Sequence, residues 1–593
     1  MKADTTEGTS STTPATKPEP VVRQAYTRRA FVKRALAAGA VGATANAATL
    51  ALASPYGGSS GGACPTPPGG IDLENPTVGD PNARRLRAYE IRVQAALQEY
   101  LQPIPPHENN GDENRYPNKI GSYTKGLPHN QLGEVDLNAY QIYLHALSTG
   151  NPADFEKIPL GIPDPANRYQ LVDPQEGLTY DLEGVDSHAT YLPPAPTLCS
   201  PQETGEMLEL YWMALTRDVP FSEYDTNPLT QAAAADLSRL SDFRGPKVGG
   251  QVTTGTLFRD NLPGTLVGPY QSQFRWLPVA YGAQLIDQRV LTSAPNVDYM
   301  TDYSEWLHIQ NGGLPSQAVQ FDPTLRYIRN GRDAGHYVHV DILHQEYYLA
   351  MLILLNPLSA GSETGGLAAP YDQNNPYLNS LTQVGFSTFG PPHIYTLMPE
   401  VVTRALHAVW FQKWYVHRRL RPEEYGGLVH NTLTGAAQYP VANSELLQSP
   451  APQMIFDKYG TYLLPQVFPE GCPLHPSYGQ GHATVAGACV TILKAWFDES
   501  FVIPNPVQPT PDGLSLVPYS GPPLTVGGEL NKLASNTSQA RNMAGVHWRS
   551  DADESLKLGE AVAISVLRDQ RRIFNENFRG FSLTKFDGTT ITV

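Results

Sequence analysis

A chain of 593 residues with 41% hydrophobic content is ordinary for a soluble globular protein and long enough for one large domain or several smaller ones. Its net charge of −15 argues against nucleic acid or an anionic membrane surface as a partner. Only 17% of residues are charged, while Pro (53) and Gly (51) are abundant, so long ordered loops should surround a smaller regular scaffold.

The N-terminus reads as an address. Residues 27–33 are TRRAFVK, followed by an uncharged stretch at 35–53. A twin arginine, an aromatic two places on and a lysine before a mild apolar region resemble a Tat export signal, with Ala51-Leu52-Ala53 as the cleavage site. The segment is Ala/Gly-rich and too weakly apolar for an anchor, and no later run is long and apolar enough to span a bilayer. The mature protein is therefore expected in the periplasm or outside the cell, after passage through the Tat translocon. Residues 54–80 read as a flexible linker, with Cys64 inside it. Cys199, Cys472 and Cys489 complete the cysteines; no CxxC spacing occurs, which excludes zinc- and thioredoxin-type sites.

Helical periodicity appears at 82–101, 203–216 and 231–241. Residues 245–275 read as loops or a small hairpin. The stretch 337–355 is apolar on a helical period without a breaker. Residues 356–395 form a long loop, in which YDQNNP at 371–376 reads either as a solvated loop or as the holder of a structural calcium. Further helices are expected at 401–419, 481–497 and 556–572. The expected class is mainly α, with helical bundles giving two four-helix-bundle-like cores, long loops and minor β. The expected organisation is a signal at 1–53, a linker at 54–80 and a single large domain at 81–593.

Chemistry concentrates in the last third. Lys413 and Arg421 stand in KWYVHRRLRP, His475 and His482 in HPSYGQGH, and Arg541 and His547 in RNMAGVH. Cations that fork onto oxygens, glycines that let backbone N–H groups approach and histidines that bond or move protons suit a buried tetrahedral oxyanion. Lys413 and Arg421 are roughly 80° apart on one ideal helix, so both can lean toward one site. Arg421 precedes Pro422 and should leave that helix. Arg541 and His547 are roughly 240° apart on an ideal helix, so they converge only if the chain breaks, most simply at Gly545. Gly481 opens a helix whose N-terminal N–H groups attract anions. Arg418 and Arg419 read as solvated helix charges. Arg549, Asp551 and Asp553 read as capping or flanking the last helix, with a bond to a site arginine as the alternative.

Taken together, these motifs resemble the vanadium-dependent haloperoxidases, in particular the algal-type bromoperoxidases, a superfamily shared with the type 2 phosphatidic acid phosphatases. The family order is a lysine, Arg-Pro, a Ser-Gly-His segment, then Arg with His six residues on, and the motifs here span residues 410–547. The resemblance implies a vanadate cofactor bonded through His547, with Lys413, Arg421, Gln480, Arg541 and the Gly481 N–H on its oxygens. It implies that His482 is the acid/base acting on hydrogen peroxide. His475, where chloroperoxidases tend to have phenylalanine, implies bromide and iodide as substrates, and Trp410 would line the halide side. Small organic acceptors and a homodimer or larger homo-oligomer are also implied. The departure is Gln480 where the family has serine. Its amide also donates but is longer, and Gly479, where algal relatives tend to have proline, is expected to give the loop room for it. Two other readings share these residues: an exported acid phosphatase in which His547 attacks phosphorus, and a non-catalytic oxyanion-binding protein.

Overall fold

The computed structural model describes residues 75–356 and 366–593. The twin-arginine segment, most of the linker and Cys64 lie outside the described residues. Among those described, twelve helices have ten residues or more: α1 (Pro81–Tyr100), α2 (Leu137–Thr149), α3 (Pro201–Thr216), α4 (Pro228–Ser238), α5 (Gly331–Val340), α6 (Gln345–Leu355), α7 (Pro391–Phe411), α8 (Pro422–Leu433), α9 (Pro450–Tyr459), α10 (Gly481–Trp496), α11 (Val526–Met543) and α12 (Arg549–Gln570). Four antiparallel two-stranded pairs are the β structure: 279–281 with 284–286, 290–293 with 321–326, 507–509 with 516–518, and 582–584 with 590–592.

Local chemistry explains most helix starts. Proline stands in the first turn of α1, α3, α4, α7, α8 and α9, where its missing N–H costs nothing. Side-chain caps are frequent: Asp80 accepts from the Asn82 N–H at 2.8 Å and Ser200 from the Glu203 N–H at 3.1 Å.

Several boundaries differ from the sequence pattern. The end of the expected linker is not extended: Pro76–Gly79 is a helical turn. The apolar run 337–355 is two helices, because the chain turns extended at Asp341 (ψ 155°) before α6 begins. No Gly or Pro marks that break. α7 starts ten residues earlier than its pattern suggested and carries Pro399 inside it. It also ends earlier, unwinding into a π-turn at Gln412–His417. Lys413 and Arg421 therefore do not share one helix. α12 likewise begins at Arg549, a full two turns before its apolar period is evident.

Two apolar cores form. The first gathers α6, α7, α10, α12 and the first half of α11. The second gathers α3, α4, α5, α8, α9 and the last turn of α11. α11 thus spans both. α10 is the innermost element, with every residue except His482 buried. It meets α12 at two glycines: a Cβ on Gly487 would lie 2.1 Å from Leu556 O, and one on Gly559 1.9 Å from Thr484 O. The helices touch backbone to backbone there, and no side chain fits. Gly559→Ala is expected to cost about 1–3 kcal/mol through overpacking, read as a lowered thermal midpoint. An unchanged midpoint would show that α10 and α12 can separate freely.

Candidate active site

Four chain segments end at one point between the cores. The π-turn carries Lys413, and Arg418 after it adopts a left-handed φ of 44° that reverses the chain. Arg421 follows in extended conformation (φ −85°) at the N-cap of α8, held by its own N–H donating to Glu424 Oε2 at 2.6 Å. The loop after Cys472 carries His475 and runs into Gly481 and His482 at the start of α10. α11 stops at Met543, and Gly545 at φ 89° turns His547 back toward Arg541. The break at Gly545 is the one the spacing required.

The contacts define proton positions. Arg421 donates through Nη1 to His547 Nε2 at 2.9 Å and to Val546 O at 2.7 Å. Its Nη2 lies 2.9 Å from His475 Nδ1, and its Nε donates to His475 O at 2.9 Å. A guanidinium only donates, so His547 Nε2 is an unprotonated acceptor. Its proton sits on Nδ1, which donates to Asp551 Oδ2 at 2.8 Å. Lys413 Nζ donates to the carbonyls of Pro476 (3.0 Å) and Ser477 (3.1 Å). Arg541 Nη1 donates to Val338 O at 2.8 Å, and its Nε is buried without a protein partner.

Positive charge in this cluster is only partly offset by the carboxylates around it, Asp551 and Glu176 near Lys413 and Asp341 and Glu470 near Arg541. Burial first, and the neighbouring Arg421 second, hold Lys413 well below the usual lysine range. The same two causes bring Arg541 down to about 10. Burial followed by Arg421 and Lys413 drives His547 well below an ordinary imidazole, and burial followed by Lys413 and Arg421 does so for His475. Like charges held together in a dry site raise one another's cost, and an anion at their centre removes it. The first N–H groups of α10, which lack intrahelical acceptors, point their dipole to the same place.

A cavity of about 420 Å³ opens onto the cluster, lined by Trp410, His475, Gly481, His482, Arg541 and His547 and walled by Val338, Leu343, Leu406 and Phe468. Lys413 and Arg421 lie fully buried behind it. His482 is the one site histidine with appreciable exposure, and its Nε2 is 3.1 Å from Asp341 Oδ1. Burial lowers its pKa while Asp341 opposes the shift. The Trp410 ring lies 4.9 Å from that of His475, and Lys413 Nζ sits 5.5 Å from the same indole.

Gln480 is buried with its Nε2 donating to Ser538 O of α11 at 3.2 Å, and its Oε1 has no partner in the protein. The Gln480 N–H donates to Ser555 Oγ at 2.8 Å. Gly479 does not loosen the loop. A Cβ there would lie 2.3 Å from Ser555 Oγ, so the glycine is what lets the loop press onto α12.

Known proteins share this arrangement. A family model described as the VCPO second helical-bundle domain matches residues 393–576. A vanadium-dependent bromoperoxidase of Corallina officinalis is 37% identical, with the match covering 86% of this chain and 98% of that protein. One of Ascophyllum nodosum is 36% identical over 88% and 96%. The solved structure of a second vanadate-dependent bromoperoxidase of Ascophyllum nodosum, a homohexamer, superposes with a TM-score of 0.80 at 30% identity, covering 93% of this chain and 95% of that one. This chain belongs to the vanadium-dependent bromoperoxidase family.

Three features of this bromoperoxidase-family site were not legible in the sequence. Asp341 partners His482 from 141 residues away, at a helix break without a sequence signal. Asp551 caps α12 as its position suggested, accepting from the Trp548 N–H at 3.1 Å, but its bond to His547 Nδ1 carried no sequence signal. Arg419 is not solvated: it is buried, pairing with Glu203 and Glu206 of α3 and with Asp551 at 2.8 Å. Arg418 is likewise paired, with Glu113 at 2.6 Å. Periodicity located α3 but said nothing of its acidic residues; their burial reveals the network. The loop 371–376 is tied by its own bonds, Asn374 Nδ2 to Ser582 Oγ at 2.8 Å and Asn375 Nδ2 to Phe389 O at 3.1 Å. Among the described residues no group of three or more His, Cys, Asp or Glu side chains is arranged to hold a metal ion.

The depressed pKa values set the sign of a linkage. An anion stabilises the protonated forms of Lys413 and His475, whose folded pKa values are lowered, so binding of sulfate, which keeps its charge near neutral pH, should take up protons, and its affinity should fall as pH rises. Calorimetry in two buffers of different ionisation heat measures this. Proton release on binding would contradict it.

Proposed function

We propose that the cluster holds orthovanadate, with His547 Nε2 bonding the metal and Lys413, Arg421, Arg541 and the Gly481 N–H holding its oxygens. The observation that carries this reading is one unprotonated imidazole nitrogen, backed by a carboxylate, at the centre of three buried cations. The orphaned Arg541 Nε adds a donor waiting for an acceptor. The donor set fits a tetrahedral oxyanion whose central atom accepts a nitrogen.

Bound vanadate supplies a Lewis acid that activates hydrogen peroxide for halide oxidation. The chain's residues do the rest. Lys413, Arg421 and Arg541 draw electron density from the oxyanion in a preorganised, dry site. His482, oriented by Asp341, takes and returns the peroxide proton at the cavity wall. His475 and Trp410 face the halide, and the products are hypohalous acid and water. His475 favours bromide and iodide over chloride. Hypohalous acid then halogenates small organic acceptors. Export through the Tat pathway and assembly into a homo-oligomer complete the proposal; the first rests on the twin-arginine segment, the second on the likeness to a homohexameric bromoperoxidase.

The test is bromination of a phenol dye by mature protein beginning at Ser54, with bromide, peroxide and added orthovanadate. Vanadate-dependent turnover that His547→Ala abolishes is the expected result; turnover without vanadate would sink the reading. Asp551→Asn should weaken vanadate binding about 10–100-fold, because the partner behind a ligand histidine sets its basicity and orientation. Gln480 Nε2 places one N–H on Ser538 O and keeps a second to donate. Gln480→Ser exchanges this longer amide for the hydroxyl usual in the family and should change vanadate binding by about 0.5–1.5 kcal/mol, the worth of one neutral hydrogen bond. Equal affinity in that variant would show that residue 480 plays no part in holding the oxyanion.

A further inference from the structure

A second pocket, of about 360 Å³, borders the second core and shares no lining residue with the active-site cavity. Its size falls within the roughly 300–1,000 Å³ of small-molecule pockets. The turn at 221–225, the loop at 254–276 and the strand pair 507–509 with 516–518 enclose it. Its aromatic part is rigid. Phe221 and Tyr270 stack with centroids 3.9 Å apart and planes 4° from parallel, and Tyr224 meets Tyr270 edge-on at 6.0 Å. The Tyr270 hydroxyl donates to Phe258 O and fixes the ring. Rings held this way offer faces and edges to another planar ring.

The polar part is unfinished. Arg259 lies over the Tyr270 ring, 4.9 Å from its centroid, and donates to Thr265 O at 2.8 Å and Gly268 O at 3.3 Å. The rest of its donor fork is free. Burial holds it below the usual arginine range, and among the described residues no carboxylate pairs with it. Arg329, the other cation on the wall, is already paired with Asp333 at 3.1 Å. Gln271 and Trp276 line the same pocket at 1% and 3% exposure, and neither the Gln271 amide nor the Trp276 indole N–H has a partner. Buried polar groups are nearly always bonded, so orphans gathered at one pocket call for a missing partner. No bond holds the Gln271 amide, so it is free to turn into the cavity it lines. Asp225, the one acidic side chain on the wall, stands at the exposed rim and accepts from Thr254 Oγ1 at 2.6 Å.

A cation without a counter-ion, an amide N–H and an indole N–H suit a carboxylate, which only accepts. Gln271 Oε1 adds an acceptor suited to a hydroxyl on the same ligand. We propose that this pocket binds a small aromatic carboxylate, with its charge on Arg259, Gln271 and Trp276 and its ring among the aromatic walls. The site is separate from the vanadate cluster and does not rest on the vanadate reading.

Benzoate is the probe, followed by calorimetry and saturation-transfer NMR on the mature chain, with sulfate present and without vanadate or peroxide. One benzoate per chain should bind. Benzamide, its neutral counterpart, should bind about tenfold more weakly, because charge-assisted hydrogen bonds are roughly twice as strong as neutral ones. Arg259→Gln and Trp276→Phe should each weaken benzoate several-fold. Gln271→Leu should do the same while melting no lower than the parent, since it removes an unpaired buried amide. Crystals soaked in 4-bromobenzoate should show the anomalous signal of bromine in this pocket. No binding at millimolar benzoate, equal affinity for benzamide, or full affinity in Gln271→Leu would overturn the proposal. So would bromine located only at the vanadate cluster, or binding lost in Arg541→Gln but kept in Arg259→Gln.

Discussion

Mutual repulsion among buried cations is the constraint on which this structure turns. Lys413, Arg421 and Arg541 cannot approach one another in a dry interior unless something holds them there. Apart from the orphaned Arg541 Nε, they donate to carbonyls of the 475–477 loop, to Val338 O and to Val546 O. A chain that fills those acceptor sites with backbone keeps the charges focused forward instead of neutralising them with carboxylates. The residual cost appears as the lowered pKa values of Lys413, His475 and His547. Energy stored that way is released when an anion enters, so affinity for the oxyanion and instability of the bare cluster have one origin.

The scaffold answers this constraint by rigidity. α10 is buried almost throughout and meets α12 at glycines, so the N-terminus of α10 has little freedom to drift from the cluster. The first turn of α12 carries Asp551, whose carboxylate accepts hydrogen bonds from His547 Nδ1, the Ser477 hydroxyl and the Arg419 guanidinium. Arg419 in turn reaches Glu203 and Glu206 on α3, in the second core. The carboxylates excluded from the front of the site are thus stacked behind it. They orient the imidazole and tie the two cores together without cancelling the cations.

Two departures from regular helix make the convergence possible. The π-turn after α7 with Arg418 in the left-handed region separates Lys413 from Arg421, and the break at Asp341 delivers a carboxylate to His482. Both lie within breaker-free stretches. Irregular backbone inside good helical sequence is found where function requires it, since local preference alone would continue the helix.

The residues that the fold brings together in the cluster were legible before the fold. Lys413, Arg421-Pro422, Gly481-His482 and the Arg541–His547 spacing announced an oxyanion site, and Gly545 announced the turn that the spacing demanded. Helix positions at α1, α3 and α10 followed from periodicity, because that signal is local. The tautomer of His547, the pairing of Asp341 with His482 and the burial of Arg419 were decided only by tertiary structure. Each joins groups between 4 and 216 residues apart through space. Sequence fixes which charges a chain owns; whether a charge is solvated, paired or held bare against its own kind depends on what the rest of the chain packs around it.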